Sequence, residues 1–100
     1  MTEYLIATSV LESIVRGSLE GDDRLHLHSG IRLARSHPVE VTVDGDQCHV
    51  TVHLDARMGE VLPALASEAR QKIVGALSPM TGLAVLGVDV VFAGVLPAAN

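Results

Sequence analysis

The chain has 100 residues, of which 48% are hydrophobic and 19% charged, with a formal net charge of -5 at pH 7. That balance excludes a disordered polymer, and one lysine, Lys72, with six scattered arginines excludes the clustered basic face that binds phosphate backbones. With no Trp, one Tyr and one Phe, the core has to be aliphatic, and strands without stacking aromatics argue against an RNA-binding module.

From Tyr4 to Val15 the apolar residues Ile6, Val10 and Ile14 recur every four positions, with Ala7, Leu11 and Val15 beside them. Ser9, Glu12, Ser13 and Arg16 fall opposite, so the spacing predicts an amphipathic helix. Gly17 and Gly21 supply its stop signals, with Asp22 and Asp23 in the turn. In RLHLHSGIRL, Leu25, Leu27, Ile31 and Leu33 alternate with His26, His28 and Arg32, the pattern of a strand with one wet face. Pro38 ends that run.

PVEVTVDGDQCHVTVHLDARMG then shows two alternating runs around Asp44-Gly45, which predicts a hairpin with strands 39–43 and 48–56. A helical period returns from Glu60 to Leu77, where Leu62, Leu65, Ala66, Ala69, Ile73, Ala76 and Leu77 share a face. Pro63 suits its first turn, and Ser78-Pro79 reads as its stop.

The tail MTGLAVLGVDVVFAGV has the hydrophobicity of a membrane span but not the continuity. A spanning helix needs about 20 apolar residues, and here Pro79, Gly82, Gly87, Gly94 and Pro97 interrupt while Asp89 occupies the middle. Read with a period of two, Val88, Val90 and Phe92 line one face and Asp89, Val91, Ala93 and Val95 the other. The tail is a strand, and direct membrane insertion is not expected. The order α-β-β-β-α-β predicts a single domain over residues 1–100, an α+β two-layer sandwich. Two helices pack on one face of a four-stranded, mostly antiparallel sheet.

Chemistry is sparse. Cys48 stands alone, so no internal disulfide forms, and it reads as a small core residue on the opposite side of its strand from His49. The N-terminal stretch MTEYLIATSVLESIV has no basic n-region, so the expected location is cytoplasmic. No nucleophile elbow, phosphate loop, dinucleotide turn or zinc-protease helix appears, and no enzyme activity or cofactor is expected. His26 and His28 share a strand face, as do His49 and His53, and imidazoles converging there would suit zinc. A meander, however, puts residues 39–43 between the two pairs. The same histidines, with Glu40 near them, would suit pH sensing, since imidazole titrates at roughly pH 5 to 8.

Apolar residues on faces that ought to be wet remain. Leu5 and Val74 lie on the polar sides of their helices, and Val91 and Ala93 lie beside Asp89 on the outer side of the last strand. An interaction surface of Val74, Asp89, Val91 and Ala93, used for oligomerisation or partner docking, is the reading that residue types alone favour. A metal- or ligand-binding domain using the histidine-bearing face is the alternative.

PVEVTVDGDQCHVTVHLDARMG, the helix with Glu68, Gln71 and Val74, and above all MTGL at 80–83 followed by VLGVDVVFAGV resemble the alkaline shock protein family of bacterial envelope stress proteins. The resemblance covers about residues 37 to 96, and GDDRLHLHSG departs from the family's Gly-Val opening before the first strand. It implies a non-enzymatic scaffold that self-assembles or is held at the inner face of the membrane by a small membrane-anchored relative. The partners it implies are proteins, with peripheral membrane association and no nucleic acid.

Overall fold

The computed structural model describes residues 5–29 and 37–98. Its elements are α1 (Thr8–Leu19), β1 (Leu25–Leu27), β2 (Val39–Asp44), β3 (Gln47–Arg57), α2 (Leu62–Thr81) and β4 (Ala84–Leu96). This is the expected α-β-β-β-α-β order in a mixed α+β fold.

β3 is the axis of the sheet. β1 and β2 pair with it antiparallel, through Leu25↔Ala56 to Leu27↔Leu54 and Val39↔Val52 to Asp44↔Gln47. β4 pairs with the other edge of β3 in parallel, and the connection is α2. The expected meander is corrected here: β1 does not lie beyond β2 but end to end with it on the same edge of β3. The junction is visible in the backbone, where the His28 N–H donates to the His53 carbonyl at 2.9 Å and the His53 N–H donates to the Pro38 carbonyl at 2.8 Å. Periodicity assigns faces and says nothing about neighbours, which is why the end-to-end arrangement is invisible in it.

The sheet is thus three strands wide. Strands lie about 4.8 Å apart, so β2 and β4 are separated by about 10 Å, the distance at which two helices pack. α1 sits on β2, α2 sits on β4, and the helices touch each other. Between the layers lie Leu11, Val15 and Leu19 of α1, Leu65, Ala69, Ile73 and Leu77 of α2, and the inward residues of β3 from Cys48 to Ala56, all buried. On α1 the buried stripe is Leu11, Val15 and Leu19, with Val10 exposed. Leu11 and Val15 are thus buried as expected and Ile6 and Ile14 pack against the core, so the face is centred on Leu11 and Val15 rather than on Val10, and the helix runs on through Gly17 to Leu19.

Three glycines set the ends of elements by taking positive φ. Gly45 at +64° opens the hairpin, whose two-residue loop is Gly45-Asp46, one position later than the Asp-Gly dipeptide suggests. Gly21 at +85° turns the chain from α1 to β1. Gly82 at +76° ends α2, its N–H donating to the Ser78 carbonyl at 2.9 Å. Ser78-Pro79 does not stop α2. Pro79 lies in the last turn, so the N–H it lacks leaves the Gly75 carbonyl without its helical donor only two residues before the helix ends. The Thr81 hydroxyl donates to the Leu77 carbonyl at 2.6 Å and accepts from the Leu83 N–H at 3.1 Å, so MTGL is built as a helix stop.

Candidate interaction surface

The inner face of the sheet is closed by the helices, and the outer face carries no layer among the described residues. β3 presents His49, Thr51, His53 and Asp55 there, β1 presents His26 with His28 just past its end, and β4 presents Asp89 and Val91. The predicted histidines therefore do share one face. What they do on it is pair with carboxylates: His28 Nδ1 meets Asp55 Oδ1 at 2.7 Å, and His49 Nε2 meets Asp89 Oδ2 at 2.8 Å.

Both pairs depend on glycines in β4. A Cβ at Gly94 would run into the Asp55 carboxylate, and a Cβ at Gly87 would come within 3.0 Å of the His49 ring. Neither glycine has a positive φ, so their use is space rather than backbone freedom. His53 Nδ1 is buried without a hydrogen-bond partner. Among the described residues no three His, Cys, Asp or Glu side chains come together as a metal-binding group. His28 lies across from His53, bonded to it through the backbone, while His26 lies across from Asp55.

Cys48 is buried and free, and burial pushes its thiol pKa up. A thiol so placed is held neutral and away from His49, which faces outward.

The proposed interaction residues bracket β4. Val91 is 40% exposed on the outer face beside Asp89, which is exposed but bonded to His49. Ala93 is exposed and is the extra residue of a bulge, because Leu54 pairs with Phe92 and Asp55 with Gly94. A second bulge at Leu86 lies between Val85, opposite Cys48, and Gly87, opposite His49. Val74, 39% exposed, belongs to α2. Arg70, one helical turn earlier, donates from Nε to the Val88 carbonyl at 3.0 Å. Residues four apart share a helix face, so Val74 lies on the flank of α2 that overhangs β4. The four residues thus line the two sides of one sheet edge that no described strand pairs with.

Sequence reasoning missed two features. One is the cluster at the α1–β1 turn. There Asp22, its side chain 7% exposed, accepts from Arg24 Nη2 and Lys72 Nζ at 2.8 Å each, while Arg24 also meets Glu68 at 2.8 Å. The Arg24 hydrogen bonds, with help from Lys72 and against the cost of burial, hold Asp22 far below the usual carboxylate range. Contacts with Arg24 lower Glu68 as well. The signal was Asp22-x-Arg24, but its partner lies 44 residues away in Glu68. The other is a groove between α1 and α2, lined by Val10, Ile14, Ala76 and Met80. Ser13 and Ser18 hydroxyls there donate back to the carbonyls of Ser9 and Val15 of their own helix.

Among the described residues no helix is long and apolar enough to cross a membrane. Comparisons with protein-family models, with curated proteins and with solved structures find no match.

Proposed function

We propose that this chain is a non-enzymatic interaction module of the alkaline shock type, an envelope-stress-associated scaffold that works by docking the β4 side of its sheet on protein, either another copy or a membrane-anchored relative. The observation that carries it is β4 itself. Among the described residues it is the longest strand, at 13 residues, and pairs on one side only, with Asp89 as its one formal charge. Strand edges of this kind recruit further chains unless they are blocked. Exposed Leu86, Val91 and Val95 add apolar surface along it. The MTGL and VLGVDVVFAGV segments support the family reading. The rival metal-binding reading has no group of three His, Cys, Asp or Glu side chains to rest on among the described residues.

Sedimentation velocity on the wild type and Val91→Glu tests the docking surface. Assembly that weakens in the variant while its melting temperature holds supports the surface, and an unchanged mass distribution moves the interface elsewhere. Fractionation of native cells after gentle lysis tests the role. Sedimentation with membranes, reversed by high salt or mild detergent, fits a docked scaffold, and recovery as a soluble monomer removes it.

A further inference from the structure

The β4 edge has a shape that selects its occupant. The Val88 carbonyl is taken by Arg70, so it points away from β3. Alternation along a strand then puts the N–H and C=O groups of Val90 and Phe92 on the same free edge and those of Asp89 and Val91 on β3. Bulges at Leu86 and Ala93 bound that regular run. An added strand would place alternate side chains against Val74 on the α2 flank and beside Val91 on the outer face.

A second folded copy cannot supply that strand in the same layer. α2 sits on β4, and neighbouring strands lie about 4.8 Å apart. Another β4 backed by its own α2 would bring two helix axes to about half the 8–10 Å that packing requires. The opposite edge of a second copy fares no better, because α1 sits on β2. A lone extended segment has no helix behind it and fits.

Charge adds a requirement. Arg70 meets no carboxylate among the described residues, and its contact is the Val88 carbonyl. A strand that took that carbonyl would release a guanidinium beside the newcomer, and the charge would be met by a carboxylate. Asp89 is held by His49 on the outer face and does not compete.

Resting on the docking role assigned to β4, we propose that its edge along residues 88–92 binds an extended, apolar peptide segment of a partner protein by strand addition, with an Asp, Glu or terminal carboxylate of that segment against Arg70. The test is selection of random linear peptides displayed on phage against the immobilised full chain, followed by anisotropy titration of the enriched peptides. Enriched sequences should alternate apolar residues and carry an acidic one. Arg70→Glu should weaken them about 10-fold or more, the size of one charge-assisted hydrogen bond. Val90→Pro, which removes an outward N–H and leaves the β3 ladder bonds, should weaken them by at least as much. Val74→Glu stands in if the proline variant does not fold. No enriched class, or binding indifferent to all three substitutions, overturns strand addition. If peptides fail while the chain still self-associates in a Val91-dependent way, the scaffold reading survives and the strand-addition proposal falls. If the chain neither assembles nor binds peptides, both fall.

Discussion

Along β3, alternate residues inhabit two environments. Val50, Val52 and Leu54 lie fully buried under the helices, whereas His49, Thr51, His53 and Asp55 face a side that no described layer covers. The inner face is held by area removed from water and tolerates no lost volume. The outer face is held by pairwise polar contacts, each of small net worth and each dependent on a glycine next door. Stability is concentrated on one side of the sheet, which leaves the other free to change its chemistry.

Leu54→Ala should break the comparison most sharply, with a loss of about 2 to 5 kcal/mol in urea unfolding, since Leu54 is fully buried among both layers. Asp22→Asn comes next, at about 1 to 3 kcal/mol, because it leaves Arg24 and Lys72 facing a group without charge. The same residue sets a pH dependence. The folded protein holds Asp22 below its unfolded value, so the unfolded state binds more protons and stability rises with pH in the acid range. Its contribution is complete above the unfolded carboxylate value of about 4 and fades as pH falls below it. Urea titrations at descending pH should show that loss in the wild type and a smaller one in Asp22→Asn.

On the outer face Gly94→Ala should cost about 1 kcal/mol, the worth of the Asp55–His28 contact it displaces. Amide exchange in β1 should rise with it, and an unchanged β1 would mean that Asp55 finds another rotamer. The smallest effect belongs to His53→Leu. Because Nδ1 is buried and unpartnered, this change should be neutral or stabilising by up to about 1 kcal/mol, and a large loss would show that Nδ1 has a partner in solution.

The two faces also differ in how legible they were. The alternation in VEVTV and CHVTVHLDA is enough to sort Val50 from Thr51, and it placed Val91 and Asp89 outward, where they are. It could not show that His28 reaches Asp55 or that His49 reaches Asp89, because those pairs join residues 27 and 40 positions apart. The helix faces were largely legible: Leu11 and Val15 of α1 and Leu65, Ala69, Ile73 and Leu77 of α2 are buried as expected, while Val10 and Leu62 are exposed. The end of α2 escaped because a proline in a last turn looks in sequence like a proline after one. For the interaction surface, exposure of Val74 and Val91 was readable, but their position on either side of one strand edge required Arg70 and its bond to Val88.

The bonds that His28 and Pro38 make to the two backbone groups of His53 have a consequence for how this chain can vary. β1 and β2 are anchored to the same edge independently, so the register of each is fixed without reference to the length of chain between them. A substitution that loosens one of these strands should therefore leave the pairing of the other with β3 in place.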